Sequence, residues 1–390
     1  MIDPGAAAET KVVRVDPDHP APAALAEAGK VLRQGGLVAF PTETVYGLGA
    51  NALDPAAVGK IFIAKGRPAD NPLIVHVAER ESLAELVADV PEVGRALMDQ
   101  FWPGPLTLVL PKSAQVPGGV TAGLPTVAVR MPDHEVALGL IAAAGVPVAA
   151  PSANRSGRPS PTTAAHVWED LQGRVELILD GGPTGVGVES TVVDVTGSVP
   201  ALLRPGGVGL EELRRVAGEV AVDPALSGKG VEHPRSPGMK YKHYAPQAPL
   251  MLIEPGPASS PERVGEAAWQ AVQEQLAAAP GHAVGLLALR ENLPHHRHAA
   301  AAAQVPFYAV QPVHAAQPGL GVQTPATGVI ALESGSANDP AAIANRLFAA
   351  LRWFDAAGVA AIVAEGIAPD GLGFAVMNRL RKAATAVRGV

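Results

Sequence analysis

Short apolar runs alternate with helical patterns along the first 220 or so residues. The apolar runs predict buried strands, and each is bounded by glycine, proline or polar residues. The predicted strands are Val12–Val15, Leu37–Phe40, Leu73–Val77, Leu106–Leu110, Val127–Arg130, Val146–Ala150, Val175–Leu179 and Thr191–Val195. The predicted helices cover residues 21–33, 54–64, 81–89, 91–101, 134–144, 162–172 and 209–217. This alternation is typical of an α/β fold.

The connections between the apolar runs bear on the type of sheet. Only a loop lies between adjacent strands such as Val175–Leu179 and Thr191–Val195. Parallel neighbours need a crossover of a dozen or more residues, usually a helix, whereas antiparallel neighbours can be joined by a loop. We therefore predict a mixed sheet in this half of the chain.

Residues 222–249 separate this alternation from a second one. They are rich in Pro, Gly, Lys and His without periodicity, which predicts a linker. Beyond them lie strand patterns at Leu250–Ile253, Val284–Leu289 and Ala360–Ala364, and helical patterns that begin at 261, 340 and 374. The chain is thus predicted to contain an α/β domain over 1–221, a linker over 222–249, and a smaller Rossmann-like α/β domain over 250–390.

Composition limits the class of protein. The chain has 390 residues, enough for two or three domains, and 30 Lys+Arg against 37 Asp+Glu give a net charge of −7. That balance argues against a nucleic-acid coat or a polybasic membrane anchor. The absence of cysteine excludes disulfides and thiolate chemistry, and together with a first segment unlike a secretion signal it leads us to expect a cytoplasmic protein without membrane spans.

A Thr- and Gly-rich segment, 41–50, follows a predicted buried strand, where open α/β sheets place their ligands. Residues 47–52 nominally match a GxGxxA dinucleotide fingerprint. We discount the match because six residues separate the glycines from the strand, whereas the fingerprint needs a tight turn. The alternative interpretation is an ordinary strand-to-helix loop.

Two cations flank a glycine in the sequence Lys65-Gly66-Arg67-Pro68, at a predicted helix end. Together they can embrace a polyphosphate, although cations are also favoured at helix C-termini by the helix dipole. We expect both side chains to be solvated, so that their removal leaves the fold intact. His76, within the next apolar strand, is by itself more typical of a core histidine than of a catalytic one.

Further polar clusters follow later strands. Residues 151–157 read PSANRSG, residues 189–194 read ESTVVD, and residues 203–206 read LRPG. Small polar side chains at strand ends suit polar ligands, but they also suit turns. Ser190 and Arg204 would meet only if their strands are neighbours.

Several common catalytic motifs are missing. The chain has no GxxxxGK[ST] loop, no GxSxG elbow and no HExxH pair. The histidine cluster at 295–298 is predicted to lie in an expanded loop over 291–304 with no acidic partner at ligand spacing. We assign it no metal.

Taken in order, the clusters resemble one family, the YrdC-type threonylcarbamoyl-AMP synthases in their long, two-domain form. The segments that carry the resemblance are PTETVYGLG, KGRP with NPLIVH, FWPGPLT, TVAVRMP, PSANRSG, ESTVVD and LLRPG, the linker 236–246, and in the C-terminal half 344–347, 351–352, 355 and 378–384. The resemblance covers about residues 20–390. It implies a YrdC-like twisted mixed sheet with flanking helices, followed by the Rossmann-like domain.

The resemblance also implies a reaction. L-threonine and bicarbonate would give N-carboxythreonine, which attacks the α-phosphate of ATP, releases pyrophosphate and leaves threonylcarbamoyl-AMP. The chain would thus be a nucleotidyltransferase that takes ATP with bound Mg²⁺. Its product would pass to a transferase complex that modifies tRNA next to the anticodon.

Roles for individual residues follow from the same resemblance. L-threonine would contact Thr44, His76, Arg130, Ser152 and Ser190. ATP would contact Lys65, Arg67, Asn71, Thr126, Asn154, Thr162, Arg204 and Tyr241. Lys65 and Arg67 would be catalytic, because phosphoryl displacement depends mainly on positioning and charge neutralisation. Tyr241 would cover the occupied site and exclude water.

Two alternatives belong to other classes. An RNA-binding module without adenylate-forming activity would use the basic residues of the KGRP and linker regions. The net charge of −7 and an aromatic content of 4% argue against it, and we expect no stable nucleic-acid binding. A carbamoyltransferase-type domain, as in hydrogenase-maturation proteins, would come with a cysteine-ligated zinc finger, which this chain cannot form.

Overall fold

The computed structural model describes residues 9–227, 244–310 and 325–390. These residues form two compact units. One unit comprises the chain up to residue 241 except for 157–159, and the other comprises 157–159 together with the chain from residue 242. Most of the predicted linker, including Tyr241, falls outside the described residues.

An eleven-stranded mixed sheet organises the first unit, with the order β1-β8-β2-β3-β7-β4-β6-β5-β9-β10-β11. Its strands are Lys11–Arg14 (β1), Val38–Phe40 (β2), Gly47–Asn51 (β3), Ile74–His76 (β4), Leu106–Pro111 (β5), Thr126–Arg130 (β6), Val148–Ala149 (β7), Leu177–Asp180 (β8), Thr191–Asp194 (β9), Ala201–Arg204 (β10) and Ala221–Val222 (β11). The pairs β2/β3, β3/β7, β4/β7, β5/β6 and β9/β10 are antiparallel. The pairs β1/β8, β2/β8, β4/β6, β5/β9 and β10/β11 are parallel.

The helices of the first unit pack on this sheet and on one another. They are Pro22–Arg33 (α1), Pro55–Lys65 (α2), Leu83–Leu86 (α3), Glu92–Phe101 (α4), Gly118–Thr121 (α5), Glu135–Ala144 (α6), Ala164–Leu171 (α7) and Leu210–Ala217 (α8). Helix α2 begins where Asp54 accepts a hydrogen bond from the Ala56 amide, and ends at Gly66, whose φ of 61° is the left-handed conformation that glycine adopts readily. Helices α1 and α6 contribute Leu25, Leu32, Leu140 and Ile141 to one hydrophobic core.

The mixed sheet was predicted, but partly for a wrong reason. Strands β8 and β9, between which only a loop lies, are not neighbours: β8 lies between β1 and β2, and β9 lies between β5 and β10. The segment around Gly47 is also a strand rather than a loop, and it forms a hairpin with β2. A Cβ added to Gly49 would lie 2.9 Å from the Phe40 ring, so the glycine lets that ring pack over β3.

The second unit is a parallel six-stranded sheet with the order β14-β15-β13-β16-β12-β17. Its strands are Leu250–Glu254 (β12), Ala283–Leu289 (β13), Phe307–Val310 (β14), Gly328–Gly335 (β15), Ala361–Glu365 (β16) and Ala386–Gly389 (β17). Its helices are Pro261–Ala278 (α9), Leu293–Ala302 (α10), Pro340–Ala357 (α11) and Leu372–Ala383 (α12). The Rossmann-like expectation is met, although β14, β15 and β17 were not predicted. Among all the residues that the structure describes, no helix is long and apolar enough to cross a membrane.

The histidine-rich segment of the second unit is helical, which corrects the prediction of a loop over 291–304. Pro294 sits in the first turn of α10, where its missing N–H costs nothing, and four consecutive alanines follow in the helix. His296 is fully buried, with Nε2 2.6 Å from Glu365 Oε1. An acidic partner therefore exists, but it is supplied by a distant strand. Within the described ranges, no cluster of three His, Asp or Glu side chains is arranged to hold a metal ion.

Candidate active site

Polar side chains form a row across three adjacent strands of the first unit. His76 on β4 pairs with Arg130 on β6, and Arg130 pairs with Thr107 on β5. Directly paired residues of neighbouring strands present their side chains on the same face of a sheet. His76 is 3% exposed and Arg130 is 4% exposed, so the side chains of this row are buried.

Ser190 and Arg204 extend the row, and the structure brings them together as the sequence analysis required. Ser190 Oγ lies 2.7 Å from Thr107 Oγ1, and Arg204 donates from Nη2 to Ser190 Oγ (3.1 Å) and from Nε to Ser190 O (3.0 Å). Gly206 allows this approach, because a Cβ at that position would lie 2.3 Å from Glu189 O. Thr107 was not predicted as a site residue, although it lies within the quoted FWPGPLT segment.

Lys65 is joined to the PSANRSG segment. Its Nζ donates to Ser152 O, and also to Asn154 O at 2.5 Å, while Ser152 Oγ donates to Asn154 Oδ1 at 2.5 Å. Lys65 is only 2% exposed. The prediction that this cation is solvated is therefore wrong, because the end of α2 packs against the loop after β7 and takes the ammonium out of water.

Arg67 and Asn71 shape the loop that follows α2. Arg67 Nη2 donates to Asn71 O (3.3 Å) and to Pro72 O (3.0 Å), which closes the loop around the guanidinium. Asn71 is 1% exposed, yet neither Oδ1 nor Nδ2 of its amide has a hydrogen-bond partner among the described residues. Buried amides are normally paired, so this side chain is a candidate contact for a ligand.

The turn after β2 adds hydroxyls and one carboxylate. Thr44 Oγ1 lies 2.8 Å from Thr42 Oγ1, and the Gly187 amide donates to Thr44 O at 3.1 Å. Glu43, which the sequence analysis did not select, places Oε2 2.6 Å from Arg130 Nη2. The N–H direction does not fit a hydrogen bond, so the contact is an ion pair.

The remaining predicted residues lie further along their elements. Thr126 begins β6, so it is about 13 Å along the strand from Arg130, at about 3.3 Å per residue. Thr162 accepts the Thr184 amide on its carbonyl, and its Oγ1 lies 3.4 Å from His166 Nδ1. Neither threonine contacts the row through a hydrogen bond that we observe.

The electrostatics of the site favour anions. Burial, and then the charge of Arg130, lower the pKa of His76 to about 3, so its imidazole is neutral at physiological pH. Lys65, Arg130 and Arg204 are all at most 5% exposed. Buried cations act in a low effective dielectric, which strengthens their attraction for a bound anion.

Comparisons with known proteins place the chain among its relatives. Two family models match: Telomere recombination (Sua5_yciO_yrdC) over residues 30–206, and Threonylcarbamoyl-AMP synthase, C-terminal domain over 208–385. The chain is 49% identical to the threonylcarbamoyl-AMP synthase of Pyrococcus abyssi, over 91% of this chain and 92% of that one. It is 47% identical to the Bacillus subtilis enzyme, over 92% of each.

Two solved structures are similar to this chain over nearly its whole length. P. abyssi Sua5 complexed with L-threonine matches with a TM-score of 0.80 and 45% identity, over 97% of this chain and 99% of that one. A double variant of the same protein matches with a TM-score of 0.83 and 44% identity, over 98% of each chain. The chain therefore belongs to the threonylcarbamoyl-AMP synthase family.

Proposed function

We propose that this protein makes threonylcarbamoyl-AMP from L-threonine, bicarbonate and ATP, and releases pyrophosphate. The observation that carries the proposal is a set of buried cations: Arg130 and Arg204 lie in the row with the hydroxyls of Thr107 and Ser190, and Lys65 lies against the loop after β7. Such a set suits a substrate pair that brings a carboxylate and a polyphosphate into one site. A relative of 45% identity has been solved with L-threonine, which supports the choice of amino acid.

L-threonine lies against the row in this proposal. Arg130 receives the carboxylate, because a guanidinium can hold both oxygens at once. Neutral His76 beside it adds no second charge, and the hydroxyls of Thr44, Ser152 and Ser190 surround the rest of the amino acid. The hydroxyl contacts favour a substrate that itself carries a hydroxyl group.

ATP lies on the side of the site that Lys65 and Arg67 border. These two residues and Arg204 neutralise the charge that develops when the carbamate oxygen of N-carboxythreonine attacks the α-phosphate and pyrophosphate departs. The polar groups proposed to hold the nucleotide are Asn71, Thr126, Asn154 and Thr162. The catalysis is therefore mainly positional and electrostatic.

Mg²⁺ enters with ATP as part of the substrate in this proposal. Magnesium is typically bound by phosphate oxygens and water with only one or two carboxylates. That mode needs no cage of protein ligands, and the described residues include no cluster of three acidic or histidine side chains that would form one. The ion would add its charge to that of Lys65 and Arg67.

Tyr241, which lies outside the described residues, is proposed to cover the bound substrates and keep water from the carbamate. The product would then pass to a cytoplasmic transferase that modifies tRNA. Replacement of Tyr241 by Ala should raise ATP consumption that is not coupled to product formation.

The function is tested by incubating the purified protein with ATP, Mg²⁺, bicarbonate and L-threonine. We expect pyrophosphate and an acylated AMP, and we expect omission of threonine or bicarbonate to stop adenylate formation. Arg67→Ala should lower the rate at least tenfold. Lys60→Ala is the matched control, because Lys60 lies on α2 just before the loop that contains Arg67 and, like Arg67, donates to a backbone carbonyl, Gly35 O, but is not among the proposed site residues. Equal rates for both variants would refute the assignment of the phosphate contacts.

A further inference from the structure

Glu43 offers a charged acceptor beside the proposed carboxylate receptor. One of its oxygens, Oε2, lies 2.6 Å from Arg130 Nη2. The other, Oε1, is buried and has no hydrogen-bond partner among the residues that the structure describes. A buried carboxylate oxygen without a donor is costly, since buried charges normally have their acceptor positions filled.

The surroundings of Glu43 supply no second counter-ion among the described groups that face it. Its backbone carbonyl accepts the Val186 amide at 2.7 Å, which fixes the turn. His134 is close enough for Glu43 to raise its pKa, but burial outweighs this and holds the pKa of His134 below its ordinary value. At neutral pH, His134 is therefore not a counter-ion, and the cation seen in contact with Glu43 in the described part of the chain is Arg130.

An α-amino acid carries an ammonium group one carbon away from its carboxylate. Bound at Arg130, it would bring that ammonium close to a second buried cation, Arg204, which Ser190 and Thr107 link to Arg130. Without an acid nearby, this arrangement would repel the ammonium. Glu43 Oε2 lies 2.6 Å from the guanidinium, so Glu43 supplies a negative charge directly beside the carboxylate receptor.

We propose that Glu43 recognises the ammonium group of the amino-acid substrate through Oε1, and so forms with Arg130 a clamp for a zwitterion. The proposal rests on the proposed function, because it takes Arg130 as the carboxylate receptor. It makes Glu43 a specificity residue: carboxylic acids that lack the α-amine fit Arg130 but leave Glu43 Oε1 without a donor from any residue that the structure describes. Removing the Glu43 charge would therefore remove the preference for amino acids.

Calorimetric titrations test this with two ligands, L-threonine and (R)-3-hydroxybutyrate, which is L-threonine without its amine. The wild-type protein should bind L-threonine about 10- to 100-fold more tightly than the hydroxy acid, as expected for a hydrogen bond between charged groups. In Glu43→Gln that ratio should fall to within about threefold of unity through weaker binding of L-threonine alone. Glu43→Asp keeps the charge and should keep part of the preference.

Two control variants make the outcomes distinct. Arg130→Ala should weaken both ligands, because both carry the carboxylate. Glu176→Gln removes another carboxylate of the same unit, one that accepts the Leu37 amide at 2.7 Å, and should leave both affinities unchanged. The wild-type ratio needs no variant, so it tests the proposal even if Glu43→Gln folds poorly.

The results that would overturn the inference are equally specific. Unchanged or tighter threonine binding by Glu43→Gln would mean that Glu43 only pairs with Arg130. Equal weakening of both ligands would mean that it acts only through the orientation of the guanidinium. If Arg130→Ala itself bound L-threonine normally, the failure would lie in the proposed function rather than in the role of Glu43.

Discussion

The buried imidazole of His76 should make the first unit less stable in mild acid. Its folded-state pKa of about 3 lies below the ordinary value of 6.5. Above pH 6.5 the imidazole is neutral in both states, so it adds no pH dependence. As the pH falls below 6.5, the unfolded chain binds a proton that the folded chain does not, and the free energy of unfolding decreases.

The size of the effect follows from the two pKa values. A pH of 5 lies 1.5 units below the pKa of the imidazole in the unfolded chain, which is therefore protonated, whereas the imidazole in the folded chain is still neutral. At about 1.4 kcal/mol per unit, this destabilises the folded state by about 2 kcal/mol. The loss would grow to about 5 kcal/mol near pH 3, where the folded imidazole begins to titrate. The value at pH 5 hardly depends on the folded pKa once that is below 4.

Hydrogen exchange provides the assay, because it reports the opening of one unit whether or not the other opens with it. Protection of β4 and β6 amides would be measured at pH 5.0 and 7.5 in the wild-type protein and in His76→Asn. From pH 7.5 to pH 5.0, the free energy of opening should fall by about 2 kcal/mol more in the wild-type protein than in the variant. His19→Asn, at an exposed histidine, is the control and should behave as the wild type. Identical pH dependence in the wild type and His76→Asn would refute the burial of a neutral imidazole at this position.

Two further predictions concern the contacts that hold the site together. Gly206→Ala should lower the free energy of unfolding in a urea titration by about 1–3 kcal/mol and slow the formation of pyrophosphate about 100-fold, because the new Cβ forces residues 189–191 away from Arg204. Gly59→Ala, at a position on α2 with open space around it, is the control and should leave the free energy of unfolding unchanged or raise it. Lys65→Ala should lower the free energy of unfolding by about 2–4 kcal/mol in a urea titration, because it leaves two carbonyls without their donor. If Lys65→Ala lowered it no more than Lys60→Ala does, the buried role of Lys65 would be wrong.

Patterns along the chain predicted most elements that have a local signal. The helices predicted over 54–64 and from 340 begin where expected, because Asp54 and Asp339 cap them and a proline follows each, and capping depends on neighbours in sequence. Strand β3 was missed, since its glycines have low strand propensity and its pairing with β2 and β7 is not visible in the local sequence. Helix α10 was missed because its proline and its run of histidines were taken as signs of a loop, although the alanines that follow have high helix propensity.

In the candidate site, too, the sequence predicted what depends on local motifs and missed what depends on distant contacts. Lys65, Arg130 and Arg204 were selected from motifs, but their burial and mutual placement depend on strand order, which sequence spacing does not encode. Glu43 lies within the selected PTETVYGLG segment, but it was not chosen as a site residue. Its role depends on its contact with Arg130, which is 87 residues away in sequence and lies on β6. Long-range pairing, rather than residue type, decides which polar residues form the site.

Because His76, Arg130 and Thr107 share one face only through the register of β4, β6 and β5, a shift of β6 by one residue would turn Arg130 away and present Val129 instead. Insertions and deletions in the 112–125 connection are therefore tolerable only when β6 keeps its alignment with both neighbours. Homologues of different length should vary within that connection and conserve the number of residues between Thr126 and Arg130.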